Sequence, residues 1–187
     1  MKKVFFSFHY EKDNWRVQQI KNMGVVDNQV PVHSNAWEQV KLKTGKKIQK
    51  WIDDNIKGCS CLVVLIGSET ANRKWVLYEI EKAWNEGKGV LGIYIHQMLD
   101  QNRSPSPKGD NPFDKFQFIL SHQERCIFPR KLEIPVHDCE KINSIPNDLF
   151  GQMRKSHYDT IKENLAHWVE QAIHYRNNCA EKIQIKP

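Results

Sequence analysis

The sequence has no long hydrophobic run. Its longest unbroken apolar stretch is Cys61–Ile66, whereas a helix that crosses a membrane needs roughly 20 apolar residues. Behind Lys2 and Lys3 the apolar stretch covers only residues 4–6, so the amino terminus lacks the apolar core of a signal peptide. These absences predict a protein that is neither inserted in a membrane nor exported.

Cysteine is scarce and irregularly placed. The cysteines occupy positions 59, 61, 126, 139 and 179, an odd number without the spacing of a disulfide framework. Cys59 and Cys61 are separated by one residue, as are His137 and Cys139, whereas zinc-ligand pairs usually have roughly two to four residues between them. We therefore expect reduced thiols in a cytoplasmic protein and no metal site.

Several catalytic signatures are also missing. The sequence contains no nucleophile elbow, no phosphate-binding loop and no paired metal carboxylates, which argues against acyl-transfer and kinase-type chemistry. Gly87, Gly89 and Gly92 do spell G-x-G-x-x-G, but they follow a predicted helix and run into a predicted strand. A dinucleotide-binding loop needs the opposite order, because the pyrophosphate meets free amide groups at the amino end of a helix. We interpret these glycines as a helix stop and a packing position.

Acidic residues are outnumbered by basic ones, and the 187-residue chain has a formal net charge of +6. Hydrophobic residues make up 40% and charged residues 27% of it, the mix of an ordinary globular protein, and the length suits one domain. The positive charge permits a polyanionic partner, but no helix-turn-helix or aromatic-interleaved pattern accompanies it. We interpret the basic residues as a solvated surface and do not expect a nucleic-acid partner, which is kept only as a third hypothesis.

The apolar pattern predicts alternating strands and helices. Strands are predicted at residues 3–8, 61–66 and 90–95, with weaker ones at 25–32, 125–128 and 132–136. Helices are predicted at residues 15–23, around the apolar positions 48, 51, 52 and 56, at 74–86 and at 160–175. Residues 97–114 contain three prolines, together with Gly109, Asp110 and Asn111, and are expected to form a loop or lid. The alternation predicts a doubly wound α/β fold, with a central, mostly parallel sheet and helices on both faces.

Polar loops follow the predicted strands, at the edge where open α/β sheets bind ligands. These loops begin near residues 7–13, 67–72 and 96–100. On the helix after the second loop, Trp75 and Glu79 are four residues apart and so share a face. The sequence therefore predicts that a carboxylate and an aromatic ring lie beside this edge.

Glu79 borders the apolar stripe of its predicted helix. It lies between the inward positions Val76 and Ile80, so its carboxylate is partly desolvated unless a ligand or a partner satisfies it. A boundary glutamate that pairs with Lys74 or Lys82 is the structural alternative. Spacing alone leaves both interpretations open.

Three stretches resemble a TIR (Toll/interleukin-1 receptor) domain. They are KVFFSFHYEKD at residues 3–13, the strand at 61–66 with Gly67 after it, and KWVLYEI at 74–80. More narrowly, the chain is similar to the prokaryotic TIR-like group and its Thoeris anti-phage defence members, over residues 3–96. The resemblance implies a flavodoxin-like three-layer TIR fold at residues 1–120, with a C-terminal extension at 121–187 of short strands and a long helix that packs on the same domain.

The resemblance also implies an activity. Enzymatic TIR domains cleave NAD at the nicotinamide–ribosyl bond, and Thoeris members make a cyclic ADP-ribose isomer that activates an NAD-consuming effector. NAD would be a substrate, and neither a cofactor nor a metal is implied. Glu79 takes the place of the catalytic glutamate, acting either through hydrogen bonds to the ribose hydroxyls or as a nucleophile. The alternative is a non-catalytic TIR-like module that signals by protein–protein association.

The same resemblance assigns the remaining site residues and partners. Substrate-binding positions are expected at Ser7, Phe8, His9, Asp13, Trp37 and Trp75. Phe8 could equally pack in the core, and Trp37 could cover the edge of the core. The implied partners are further copies of the chain, an effector protein reached through the diffusible product, and a phage-derived trigger, with no membrane.

Overall fold

A computed structural model describes residues 2–26, 45–119, 132–139, 156–179 and 181–187. Strands and helices alternate through the first half of the chain. In chain order the elements are β1 Val4–Ser7, α1 Tyr10–Lys21, α2 Gly45–Lys57, β2 Cys61–Ile66, α3 Lys74–Asn85, β3 Gly89–Tyr94, β4 Phe116–Phe118, β5 Val136–His137, α4 His157–Asn177 and β6 Ile183–Ile185. Short 3-10 turns at Thr70–Asn72 and Pro112–Lys115 precede α3 and β4. Within these ranges no helix is long and apolar enough to cross a membrane.

The main sheet has the strand order β1-β2-β3-β5, and all of its pairings are parallel. One row of paired residues crosses it at Ser7, Val64, Gly92 and Val136. Because the strands are parallel, their carboxyl ends meet at one edge, which we call the carboxyl edge. A separate antiparallel pair joins β4 to β6.

Apolar side chains cover both faces of the main sheet. On one face Val4 and Phe6 of β1 pack with α1 and α4; on the other, Phe5 packs with α2 and α3. Successive strand residues point to opposite faces, so Ser7 shares the face of Phe5 and looks toward α3. The predicted three-layer α/β arrangement with a parallel sheet is confirmed.

The first helix begins earlier than the sequence predicted. The sequence predicted this helix at residues 15–23, and that start is wrong, because α1 begins at Tyr10. Its inward face carries the polar residues Asp13 and Arg16, and these interrupt the apolar period from which a helix is recognised. Asp13 therefore lies in the first helical turn, where a carboxylate is favoured by the helix dipole.

The weaker predicted strands agree less well with the structure. Residues 25 and 26 form a bend instead of a strand, and the remainder of 25–32 lies outside the described residues, as does 125–128. Of the strand predicted at 132–136 only Val136 is in β5, which continues to His137. The pair β4–β6 was not predicted, since each strand has only three residues.

The C-terminal residues pack on the rest of the molecule. α4 supplies Ile161, Leu165 and Val169 to the core on the α1 face. β6 is fixed to the end of α3 by Asn85, whose Nδ2 donates to Ile183 O and whose Oδ1 accepts from Ile183 N, both at 2.9 Å. The end of the described chain is thereby attached to the helix that carries Glu79.

Candidate active site

A buried hydrogen bond joins β1 to α3 at the carboxyl edge. Ser7 Oγ donates to Glu79 Oε2 over 2.5 Å, and neither residue has exposed surface. Ser7 is the last residue of β1, and its side chain faces the helical layer that contains α3. A short hydrogen bond from a hydroxyl to a carboxylate oxygen is a strong one, so it fixes the direction in which the Glu79 carboxylate points.

The lysines near Glu79 form their described contacts elsewhere. Lys82 Nζ lies 3.5 Å from Asp53 and 3.0 Å from Glu86. Lys74 Nζ lies 5.5 Å from the centre of the Trp75 ring. The described ion pairs of Lys82 thus involve Asp53 and Glu86, while Glu79 accepts a hydrogen bond from the Ser7 hydroxyl.

His9 immediately precedes α1 and is almost fully enclosed, with 3% of its surface exposed. Its Nδ1 and Nε2 lie 3.8 Å from carboxylate oxygens of Glu69 and Glu11, too far for hydrogen bonds. Burial lowers the pKa of His9, and the positive charge of Arg73 lowers it further, against the opposing effect of the two glutamates. A neutral imidazole can either donate a hydrogen bond to a ligand or accept one.

Asp13 is the most enclosed carboxylate of α1, with 1% exposed. Its carboxylate lies against the backbone after β2, where a Cβ built on Gly67 would come within 2.1 Å of Asp13 Oδ2. Burial raises the pKa of Asp13 to about 6, although the nearby Arg16 opposes the rise. Among the described residues Oδ2 has no hydrogen-bond partner. Asp13 thus places a hydrogen-bond acceptor at the carboxyl edge. Its position requires a glycine at residue 67, because any side chain there would clash with the carboxylate.

The aromatic residues predicted for the site are distributed differently. Phe8 packs with α1 and α4 on the face opposite Ser7, with Lys21 Nζ 5.2 Å from its ring centre, as in the core-packing alternative. Trp75 meets Tyr78 edge-on at 5.9 Å and would touch a Cβ at Gly45 of α2 at 3.9 Å. Trp37 lies outside the described residues. The structure therefore gathers Ser7, His9, Asp13 and Glu79 near the carboxyl edge and packs Phe8 elsewhere.

A second group at the same edge was missed by the sequence analysis. Tyr94 ends β3, and the His96 ring meets it edge-on at 5.8 Å. Lys108 Nζ lies 4.6 Å from the Tyr94 ring centre and forms an ion pair with Asp138. Lys108 and Asp138 have no local pattern in the sequence that marks them, because the fold brings them together from separate loops. The group supplies an aromatic ring and a cation next to β3.

Metal-ligating residues do not converge in the part of the chain that the structure describes. No group of three or more histidine, cysteine, aspartate or glutamate side chains there is arranged to hold a metal ion.

Comparison with known proteins identifies the family. The family model described as "Thoeris protein ThsB, TIR-like domain" matches residues 5–100, more than half of the chain. The chain belongs to the ThsB TIR-like family. A Bacillus cereus (strain MSX-D12) protein named "Putative cyclic ADP-D-ribose synthase ThsB1" is 37% identical to it over 125 residues. That match covers 64% of this chain and 65% of the relative. The family resemblance drawn from the sequence is confirmed, and in this ThsB-family protein the matched region contains Ser7, His9, Asp13 and Glu79.

Proposed function

We propose that this ThsB-family protein cleaves NAD at the nicotinamide–ribosyl bond and cyclises the remaining ADP-ribosyl group. The observation that carries the proposal is the buried Ser7–Glu79 hydrogen bond at the carboxyl edge. The name of the Bacillus cereus relative, which refers to cyclic ADP-ribose synthesis, supports the same chemistry.

The proposed reaction needs little acid catalysis. Nicotinamide departs as a neutral base when the bond between its ring nitrogen and the ribose anomeric carbon breaks, and the electron pair leaves with it. Positive charge then develops on the ribose, where a fixed carboxylate stabilises it. Attack on the anomeric carbon by a nucleophilic atom of the same ADP-ribosyl group, with loss of a proton, closes the ring; attack by water gives linear ADP-ribose instead.

Each residue at the edge has a role in this proposal. Glu79 stabilises the charged ribose, and the Ser7 hydroxyl holds the carboxylate in position. His9 offers a neutral imidazole to a substrate hydroxyl or phosphate. Asp13 offers an acceptor beside Gly67, and the amino end of α1 presents backbone amides of the kind that bind phosphate. Trp37 and Trp75 remain proposed contacts for the nicotinamide or adenine ring.

The burial of Glu79 has a consequence for the rate. A carboxylate with no exposed surface contacts ribose only after the groups that cover it move aside. We therefore propose that the chain by itself turns over slowly and that self-association or a phage-derived trigger favours the open arrangement. In this proposal the cyclic product is the signal of a cytoplasmic anti-phage defence system and activates a separate effector protein.

The test is NAD turnover followed by mass spectrometry of the products. The chain is incubated with NAD alone and with lysate of phage-infected cells. A product with the mass of NAD less nicotinamide supports cyclisation, and one heavier by a water indicates hydrolysis. Glu79→Gln should retain its fold and lose activity by about a hundredfold or more, whereas Glu81→Gln on the same helix should not. Absence of turnover under both conditions would favour a module that acts by association alone.

A further inference from the structure

Arg16 connects α1 to the segment that follows β3. Its Nε donates to Met98 O at 2.7 Å and one terminal nitrogen donates to Ser104 O at 3.0 Å. The guanidinium also lies 3.7 Å from carboxylate oxygens of Asp13 and Asp100. Only 5% of its side chain is exposed. One buried cation thus holds two separate points of the segment against the helix.

The segment is ordered by its own hydrogen bonds as well. Asp100 Oδ1 accepts from the backbone amides of Asn102 at 2.8 Å and Ser104 at 3.0 Å. Ser106 N donates to His96 O at 2.8 Å, which closes the loop at its base. Gln19, one turn after Arg16, donates to Leu99 O at 2.8 Å. The loop therefore meets α1 as one preformed unit.

Beyond Ser106 the segment crosses the carboxyl edge. A Cβ built on Gly109 would lie 2.1 Å from Gly67 O, so the two backbones are in direct contact there. Phe113 then packs on Gly92 on the opposite face, where an added Cβ would lie 2.6 Å from the ring. The segment thus runs from the α1 face, over the loop that carries Gly67, to the α3 face.

We propose that Arg16 is a positioning residue of the NAD site: it holds residues 97–109 as a fixed wall of that site, so that this segment is not a lid that opens at each turnover. The proposal rests on the function proposed above. Its physical basis is that lifting the segment would remove Met98 O and Ser104 O, two of the three carbonyl acceptors of a buried guanidinium, and leave only Lys12 O at 3.4 Å. Leaving donors of a buried charge unsatisfied is costly. Arg16 itself is not a catalytic residue, because its described contacts are to backbone carbonyls and to Asp13 and Asp100.

The first test combines amide hydrogen exchange with steady-state kinetics. In Arg16→Gln the amides of Asp100, Ser104 and Ser106 should exchange at least about tenfold faster. The KM for NAD should rise about tenfold while kcat stays within about threefold, since the wall contributes binding and Glu79 is untouched. Arg16→Lys keeps the charge but donates from a single nitrogen. Its exchange rates and its KM should lie between those of wild type and Arg16→Gln. The control is Lys162→Gln, an exposed cation on α4 and outside the segment, which should alter neither measurement.

The second test separates a wall from a lid. Gln19→Cys with Leu99→Cys places two thiols across the junction, and a short bis-maleimide joins them, with the link located by peptide mapping. If the segment is a fixed wall, the cross-linked and the unlinked double variant should have kcat values within about twofold of each other. A loss of about tenfold on cross-linking means that the segment must open at each turnover, and this would overturn the proposal.

Failure of the inference and failure of the proposed function give different results. If wild-type protein does not cleave NAD but exchange protection of the segment still depends on Arg16, the proposed function falls and the attachment stands. If a folded Arg16→Gln variant shows unchanged exchange and unchanged KM, the positioning role is refuted even when NAD is cleaved normally.

Discussion

The Ser7 hydroxyl and the Glu79 carboxylate lie 72 positions apart in the chain and meet in a buried hydrogen bond of 2.5 Å. No interaction within either element creates this contact. It exists because β1 ends with its last side chain directed toward the helical layer that contains α3. The pair is therefore a product of the parallel sheet.

Replacing Ser7 by alanine should impair NAD cleavage more than it impairs folding. The substitution removes a donor to a buried carboxylate, an interaction of about 1.5–3 kcal/mol, so kcat should fall roughly ten- to hundredfold while the circular dichroism spectrum is retained. The control is Ser60→Ala, just before β2 at the opposite end of the strand. Equal activity of the two variants would contradict a role for the Ser7 hydroxyl in orienting Glu79.

Asp13 should reduce stability at neutral pH. Its pKa in the folded protein, about 6, lies above the ordinary value of 3.8, so the folded state keeps the proton to a higher pH than the unfolded chain. Its contribution to the free energy of unfolding is therefore largest below the ordinary pKa and is lost as the pH rises toward 6. We expect Asp13→Asn to raise the free energy of unfolding at pH 8 by up to about 3 kcal/mol, with little change at pH 4.

Urea unfolding at the two pH values measures this effect, with the exposed Asp110→Asn as the control. Lower stability of Asp13→Asn at pH 8 would contradict the assignment. If Asp13 also contacts substrate, the stabilised variant should bind NAD less well, which is the usual trade-off at a functional site.

His137 should have the opposite pH dependence. Its ring stacks on Trp168 at 4.0 Å, and burial, helped by the nearby His167, lowers its pKa to about 4. Because this pKa lies below the ordinary 6.5, the stability associated with neutral His137 is complete above pH 6.5 and is lost as the pH falls toward 4. His137→Phe keeps a stacked ring without the titration and should lose less stability on acidification. Thermal unfolding between pH 4 and 7 checks this, with His174→Gln, on the exposed side of α4, expected to follow wild type.

Asn85 should anchor the C-terminal strand. Asn85→Ala removes the paired hydrogen bonds to the backbone of Ile183, and at about 1 kcal/mol each the free energy of unfolding should fall by about 2 kcal/mol. Asn177→Ala, at the exposed end of α4, should change it by less than about 0.5 kcal/mol. Urea denaturation of both variants is the measurement. A cost no larger for Asn85 than for Asn177 would show that β6 is held by its apolar contacts alone.

Local pattern was enough to predict the elements that are apolar over their whole length or on one regular face. Cys61–Ile66 is buried at every position, and the helix at Gly45–Lys57 buries Ile48, Ile52 and Ile56 at regular intervals. The start of α1 could not be predicted in this way, because two of its buried positions are the charged residues Asp13 and Arg16. Those side chains are buried because they contact other loops. Such long-range contacts are not visible in a local sequence pattern.

The candidate site could be predicted only in part for a related reason. Glu79 is identified by its place beside an apolar stripe and by the family resemblance. Its hydrogen bond to Ser7 depends on which way β1 faces, and the group formed by Tyr94, Lys108 and Asp138 depends on loops from separate parts of the chain. Such contacts depend on the tertiary structure, so no characteristic residue spacing in the sequence predicts them.

Because residues 97–113 run around the carboxyl edge, insertions are tolerated in some parts of this segment and not in others. Its exposed tip at 101–103 lies between the two carbonyl groups that Arg16 binds, those of Met98 and Ser104. A short peptide tag grafted at the tip would therefore extend into solvent without displacing either of these contacts. One extra residue between Ser106 and Phe113 would instead pull Gly109 off Gly67 or the Phe113 ring off Gly92. The tip is accordingly the place to attach a fluorophore for following this protein in cells.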